Sequence, residues 1–394
     1  MNTQAARTTG VPPVQPTAPP ISFLDLKAQF ATIRHEVMEA IDRVMQSQHF
    51  ILGPEVKLLE EELAAKLGVK HAVTCASGTD ALILSLMAAG IGPGDEVITT
   101  PFSFIATAGS IAHVGAKPVF VDIDPASYNI DPGLIKTAIT PKTRAIMPVH
   151  LFGLPADMEP ILEIARDHGL MVIEDSAQAI GSRYNGQNVG TLGDFGCFSF
   201  FPSKNLGGAG DGGLVTTNNE ATAERVRMLR VHGSKKKYYH DILGTNSRLD
   251  ALQAAILRVK LPHLDAWTRG RQNRADRYRQ AFEELQLTPF IVPPMAPDDR
   301  FHHVYNQFTI RCRRRDELKG YLGNHGVPTE VYYPLCLHLQ QAFADLGYKN
   351  EDLSVSEQAS GEVLSLPVYA ELTDEQQDRV THAIADFFAQ KAHC

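Results

Sequence analysis

The sequence predicts an α/β protein: a large domain on a mostly parallel central sheet flanked by helices, then a smaller C-terminal α+β domain. Three observations predict it. Short apolar runs alternate with helical segments through the first half of the chain, the rhythm of repeated β-α-β units. A long charged helical region then ends in a proline cluster (Pro289, Pro293, Pro294 and Pro297), beyond which strand and helix patterns mix. The chain has 394 residues, 44% of them hydrophobic and 21% charged, which is ordinary for a globular protein and enough to bury a large core.

Taken in order, Leu24, Leu26, Phe30, Ile33, Val37, Ile41 and Val44 follow helical spacing from Ile21 to about Gln46. A second helix follows Pro54 through Val56, Leu58, Leu59 and Leu63. Strands are expected over Ala72–Thr74, Glu96–Thr99, Lys117–Val121, Ala145–Val149 and Leu170–Ile173, with helices starting near Thr79, Ser103, Pro132 and Met158. Two more strands fall near Phe195–Ser199 and Gly213–Thr217, a helical region from about Leu249 to Leu285, and a strand from Val304 to Ile310. These elements divide the chain into a disordered tail over 1–20, a large domain over 21–265 and a small domain over 266–394.

Lys plus Arg total 37 against 45 Asp plus Glu, a net charge of −8. That balance excludes a chain built to coat nucleic acid or an anionic membrane, though not a local basic patch. No uninterrupted apolar run approaches the roughly 18 residues of a membrane span. The first twenty residues hold five prolines, four threonines and Arg7, with no apolar core, so they do not read as a secretory signal. Five scattered cysteines without a CxxC spacing fit a reduced, cytoplasmic protein.

Three motifs carry candidate chemistry. Ala76-Ser77-Gly78-Thr79-Asp80-Ala81 follows an apolar strand and opens an apolar helix; it is either a phosphate cradle or a plain N-cap. Ile173-Glu174-Asp175-Ser176 ends a strand of the parallel half, where open α/β sheets bind ligands. A carboxylate there serves a metal, a ribose hydroxyl or a protonated pyridine nitrogen, or it simply caps a turn. Lys204 follows the apolar strand Cys197-Phe198-Ser199-Phe200-Phe201, surroundings that lower an ammonium pKa and suit a Schiff-base lysine; the alternative is a surface lysine in a turn. Gly208-Ala209-Gly210-Asp211-Gly212-Gly213 matches the dinucleotide fingerprint but leads into a strand instead of a helix, the wrong context. His302-His303 is the tightest histidine pair, and neighbours on a strand face opposite ways, so a metal site has little support.

A cradle, a strand-end Asp and a Schiff-base Lys, in that order, suit the phosphate, pyridine nitrogen and aldehyde of pyridoxal 5'-phosphate. With Ile51-Leu52-Gly53-Pro54, Ser77-Gly78-Thr79-Asp80-Ala81-Leu82, Tyr128-Asn129-Ile130, Glu174-Asp175-Ser176-Ala177-Gln178, Ser199-Phe200-Phe201-Pro202-Ser203-Lys204 and Asn246-Ser247-Arg248-Leu249-Asp250 in register, the chain from Ile21 onward resembles the DegT/DnrJ/StrS family of sugar aminotransferases. The resemblance implies that Lys204 binds the cofactor aldehyde and moves protons, and that Asp175 keeps the pyridine nitrogen protonated. It implies that Phe104 stacks on the ring, Gln178 meets its oxygen side, and Gly78, Thr79 and Ser199 bind the phosphate. Asn246 is expected to reach the phosphate of a neighbouring subunit, giving a homodimer with shared active sites. Arg248 of the partner chain, Tyr332, Tyr333 and His338 are expected around the sugar; relatives often carry His-Tyr in place of Tyr332-Tyr333. The run Lys235-Lys236-Lys237-Tyr238-Tyr239-His240 either meets a nucleotide diphosphate or is a solvated loop.

The implied reaction moves an amino group from L-glutamate to a nucleotide-linked keto sugar. A 3-keto sugar is favoured over a 4-keto sugar, and UDP over dTDP. A sugar dehydratase of the same fold, in which the lysine is commonly replaced by histidine, and a regulator that has lost catalysis are the rival readings. The presence of both Lys204 and Asp175 argues against each.

Overall fold

Asp25 starts the first helix. Its side chain accepts from Ala28 N at 2.9 Å, so α1 runs Leu26–Ser47 instead of beginning at Ile21. Ile21 is held elsewhere, its N–H donating to Gly326 O. The structure, a computed structural model, describes residues 21–390; the expected tail over 1–20 and Cys394 lie outside the described residues. Pro54 opens α2 (Pro54–Leu67), where its missing N–H costs nothing, and Gly68 closes it at φ +74°.

Strand and helix then alternate as expected: β1 (His71–Cys75), α3 (Gly78–Ala88), β2 (Glu96–Thr99), α4 (Ala106–His113), β3 (Lys117–Phe120), α5 (Pro132–Ala138), β4 (Thr143–Met147), α6 (Met158–His168) and β5 (Met171–Asp175). A small hairpin, β6 (Arg183–Tyr184) and β7 (Gln187–Asn188), precedes β8 (Phe195–Ser199), β9 (Gly213–Thr217) and α7 (Glu220–Leu229). An exposed hairpin, β10 (Ser234–Lys236) and β11 (Tyr239–His240), leads to α8 (Ala251–Lys260) and α9 (Leu264–Glu284). The remainder is β12 (Phe301–His302), β13 (Phe308–Arg311), α10 (Arg315–Asn324), α11 (Ser354–Glu362), β14 (Val363–Leu366) and α12 (Asp374–Gln390).

The main sheet has seven strands in the order β1-β9-β8-β5-β4-β2-β3. Six run parallel and β9 alone is reversed, pairing antiparallel with both β1 and β8. Alternation assigns the faces. Val73, Val97, Ala145, Ile173, Cys197 and Val215 join α3 and α7 in one core. Their neighbours Ala72, Phe198 and Leu214 pack beneath α1, α2 and α8, and Ile98, Ile146 and Val172 pack beneath α5 and α6. A separate core gathers Tyr278 and Phe282 of α9 with Phe308, Leu364, Val380 and Ile384, and it includes Ile21.

Two expectations need correction. The helical region over Leu249–Leu285 is two helices joined by a 3-10 turn at Leu261–His263, because Pro262 cannot supply the N–H that continuation needs. The strand expected from Val304 begins only at Phe308. The carbonyls of Val304, Tyr305 and Asn306 are taken by side chains, Asn205 Nδ2 for the first and Arg271 Nη1 for the others, so no ladder forms there. Among the described residues, no helix is long and apolar enough to cross a membrane.

Candidate active site

The carboxyl ends of β1, β5 and β8 meet at one edge of the sheet, since Asp175 lies opposite Cys197, and Gly213 lies opposite both Ser199 and Cys75. A cavity of about 640 Å³ opens there, as expected for a parallel α/β sheet. Ser77, Gly78, Thr79, Phe104, Asp175, Gln178, Ser199, Lys204, Tyr332 and Tyr333 all line it, so most of the residues singled out in the sequence converge on one place.

One wall is the start of α3. Ser77 is extended and its Oγ accepts from Asp80 N at 3.1 Å, so it is an N-cap. The N–H groups of Gly78 and Thr79, in the first turn, have no acceptor within the helix. Gly78 is required by closeness: a Cβ there would lie 2.7 Å from Ser199 Cβ. Gly213 is required for the same reason, since its Cβ would lie 2.2 Å from Ser77 O. Two backbone donors and two hydroxyls, on Thr79 and Ser199, thus come together at the cavity wall, and the two glycines let the segments that carry them pack closely. Ser77 is an N-cap, and the arrangement at this helix start fits a phosphate group.

Asp175 ends β5 and is buried. Its Oδ2 accepts from Thr107 Oγ1 at 2.7 Å and its Oδ1 from Ala177 N at 3.2 Å. Burial raises its pKa above the usual carboxylate value, while Thr107, Ala177, Lys204 and His150 pull it down. A cationic N–H delivered to this carboxylate would relieve that burial, so the site suits a protonated pyridine nitrogen. Glu174, the other half of the acidic pair, has a structural role: it accepts from Gly190, Leu192 and Gly193 N and pairs with His150 at 2.9 Å.

Lys204 sits in the turn after β8, its N–H bonded to Phe201 O. The next residue anchors the turn, as Asn205 donates to Val304 O and accepts from Asn306 Nδ2 at 2.7 Å. Burial lowers the Lys204 ammonium to about 8, with the Asp175 charge opposing. An amine able to shed its proton near neutral pH is the group that condenses with an aldehyde. Cradle, carboxylate and amine therefore fit the three functional ends of pyridoxal phosphate.

Gln178 is fixed at both ends, its Oε1 accepting from Phe152 N and its Nε2 donating to Tyr333 Oη at 3.2 Å. Phe104 stands at the cavity mouth, 55% exposed and 6.2 Å from the Tyr333 ring. Other expected residues lie apart. His338 is buried away from the cavity, bonded to Glu357 at 3.1 Å and packed on Phe120 and Tyr348, because its segment wedges against β3. Asn246 is exposed and Arg248 half-buried, and neither lines the cavity of its own chain. The basic run forms the β10–β11 hairpin, with Lys236 over the Tyr239 ring and Lys237 over Tyr238. The glycine-rich decoy is a close-packed loop, with Gly208 against Gln253 and Gly212 against Leu249 and Phe200.

Thr107, Ser103, Asp211, Gln307 and Val331 also line the cavity and were not singled out. For Thr107 the available signal was its place just after the expected ring-stacking Phe104 on a helix facing the same strand end. Among the described residues, no cluster of His, Cys, Asp and Glu could hold a metal ion.

The model of the DegT/DnrJ/EryC1/StrS aminotransferase family matches residues 31–385. The chain is 55% identical over 368 residues, 93% of its length and 98% of the other, to a Geobacillus stearothermophilus protein named pleiotropic regulatory protein. It is 50% identical over 364 residues, 92% and 97% of the two chains, to the UDP-N-acetyl-3-dehydro-alpha-D-glucosamine 3-aminotransferase of Acidithiobacillus ferrooxidans. The crystal structure of S. venezuelae DesV in complex with a ketimine intermediate matches with a TM-score of 0.91 at 44% identity, covering 94% of this chain and 99% of that one.

Proposed function

This chain belongs to the DegT/DnrJ/EryC1/StrS aminotransferase family, and we propose that it is a pyridoxal-phosphate-dependent enzyme moving the amino group of L-glutamate onto the 3-keto carbon of a UDP-linked hexose. The observation that carries the reading is the convergence of Lys204, Asp175 and the Ser77–Thr79 cradle on one cavity. The relative that acts on a UDP-linked 3-dehydro sugar supports the keto position and the nucleotide. The regulatory name of the Geobacillus protein describes that protein; here both residues on which transamination depends face the cavity.

When bound, the cofactor supplies an aldehyde for amines and a ring that accepts the electron pair left by a departing C–H proton. Gly78 N, Thr79 and Ser199 would bind its phosphate, Asp175 would accept from the ring nitrogen, and Phe104 would cover one ring face. Lys204 would carry a proton from the donor's α-carbon to the cofactor carbon in the first half-reaction, and from the cofactor carbon to the sugar carbon that receives the amine in the second. Burial, which lowers the Lys204 pKa to about 8, favours the neutral amine that this role needs.

Among the described residues lining the cavity, Lys204 is the only cation. A cofactor phosphate, a nucleotide diphosphate and a donor carboxylate all require more positive charge than one amine. A second copy of the chain would supply that charge with Arg248, add the Asn246 amide as a neutral donor, and cover Phe104 and Phe201 at the mouth, 55% and 52% exposed. In this reading the enzyme is a cytoplasmic homodimer with shared sites, consistent with four unpaired, buried cysteines among the described residues. Residues from about 266 onward form its small domain.

The test is a panel of UDP- and dTDP-linked 3-keto and 4-keto sugars, each with L-glutamate and pyridoxal phosphate. Formation of 2-oxoglutarate and of an amino sugar of the correct mass with the UDP-3-keto substrate is the expected result. Turnover confined to 4-keto sugars would move the substrate to that class, and no transfer with any of them would refute the reading.

A further inference from the structure

We propose that Ser103 and Thr107 form a hydroxyl clasp that aims the Asp175 carboxylate and sets the loop bearing Phe104, making Thr107 a positioning residue for the transfer reaction; the inference rests on the function proposed above. Thr107 Oγ1 lies 2.7 Å from Asp175 Oδ2 and 2.8 Å from Ser103 Oγ. Both hydroxyl residues are buried and both line the cavity. A hydroxyl owns one proton. An ionised Asp175 has none to give, so the Thr107 proton goes to Asp175, and the proton of the second bond has to come from Ser103. The directions are therefore fixed: Ser103 donates to Thr107, and Thr107 donates to Asp175.

The clasp serves two purposes. Among the described residues, Thr107 is the sole hydrogen-bond donor to Asp175 Oδ2, while Ala177 N donates to Oδ1. It thereby orients the carboxylate plane and leaves open lone pairs for the ring nitrogen. The Ser103–Thr107 bond also closes the short loop carrying Phe104 and Ile105, with Thr107 N donating to Phe104 O at 3.1 Å. The far side of Thr107 is held too, as its carbonyl accepts from Ser110 Oγ at 2.9 Å. Thus Phe104, proposed to cover the ring face, and Asp175, proposed to meet its nitrogen, are registered to each other through the Thr107 hydroxyl, 68 positions of sequence from Asp175.

The experiment compares the parent with Thr107→Val, Thr107→Ser and Ser103→Ala. Valine keeps the threonine shape and removes the hydroxyl, whereas serine keeps the hydroxyl. Each holoenzyme is dialysed against graded pyridoxal phosphate to obtain its dissociation constant, and kcat and KM are measured with glutamate and the UDP-3-keto sugar. A charge-assisted hydrogen bond is lost in Thr107→Val, so about tenfold weaker cofactor retention and a kcat lowered about ten- to a hundredfold are expected, with each KM within about twofold. Thr107→Ser should recover both quantities to within about threefold of parent, and Ser103→Ala should lose about threefold in each. A valine variant equal to the parent overturns the clasp. So does a serine variant as impaired as valine, since the methyl group would then be what matters. If Thr107→Val does not fold, an unchanged Ser103→Ala overturns it. A parent that retains no pyridoxal phosphate refutes the proposed function and the clasp together, whereas a working parent with unchanged variants removes the clasp alone.

Discussion

Ser247 Oγ donates to Asp80 Oδ2 at 2.7 Å and accepts from Ala76 N at 3.2 Å. That fully buried hydroxyl fastens the segment bearing Asn246 and Arg248 to the segment bearing Ser77, Gly78 and Thr79 of the same chain. The residues proposed to serve a neighbour's site are thus held by the cradle of their own, although neither lines the cavity beside them.

This arrangement makes the shared site testable by complementation. Lys204→Ala and Arg248→Ala homodimers should each be nearly inactive. In a mixed dimer one site carries both lesions and the other neither. Random pairing of equal amounts makes about half the dimers mixed, so recovered activity should approach about a quarter of parent. Co-expression with two tags and isolation of the mixed species gives the rate, which for the purified mixed dimer should be about half that of parent. A mixed dimer as inactive as both parents would place Arg248 in its own chain's site.

Asp175→Asn preserves shape and removes charge. The ring nitrogen then loses its anionic partner, and the electron pair released at the substrate carbon is poorly held. We expect kcat to fall about a thousandfold or more, with cofactor retention reduced far less. A normal kcat in the Asn variant would mean that the pyridine nitrogen binds elsewhere.

Gly78→Ala places a methyl 2.7 Å from Ser199 Cβ, on a strand with little room to retreat. Overpacking of this kind costs about 1–3 kcal/mol. Pyridoxal phosphate and inorganic phosphate should both bind about tenfold more weakly, and the melting temperature should drop by a few degrees. An alanine variant with parental phosphate affinity would remove the cradle from that position.

Lys204 also leaves a signature in the cofactor-free protein. Its folded pKa, about 8, lies below the 10.5 of an unperturbed lysine. Between those values the unfolded chain binds more protons, so the penalty for burying the ammonium is complete below about pH 8 and fades as pH rises toward 10.5. Lys204→Met should therefore melt above the parent at pH 7, and the difference should shrink by pH 10. Thermal scans of both cofactor-free proteins at the two pH values check the sign. A gap that widens with pH would contradict the assignment.

The parallel half of the fold was legible because strands buried on both faces leave unbroken apolar runs, and Lys204 and Asp175 stood out because charge at the end of such a run is conspicuous. Direction was not legible: nothing in Gly213–Thr217 announces that β9 runs against its neighbours. Thr107 carried no motif, since its role arises from a contact with a strand far along the chain. His338 looked polar and available in sequence, but its ring is enclosed by Phe120, Tyr348 and Glu357, brought together only by the fold. Pro262 was visible and sufficient to split the long helical region, whereas the loss of ladder bonding at Val304–Asn306 depends on Asn205 and Arg271 arriving from elsewhere.

The continuity of α9 bears on how the two cores hold together. Leu264 at its start belongs to the core beneath α1, α2 and α8, while Ala275, Tyr278 and Phe282 belong to the core built around β13 and β14. Its 21 residues make a rod about 30 Å long with no proline inside it. Lys204 lies between Phe200 and Leu206 of the first core, and Val331 on the opposite bank packs against the second, while Tyr332 and Tyr333 pack with Phe102, Tyr128 and Phe152. The two cores are thus joined by one continuous helix, so a break inside it, such as Ala275→Pro, should weaken both cores together although it lies well outside the cavity.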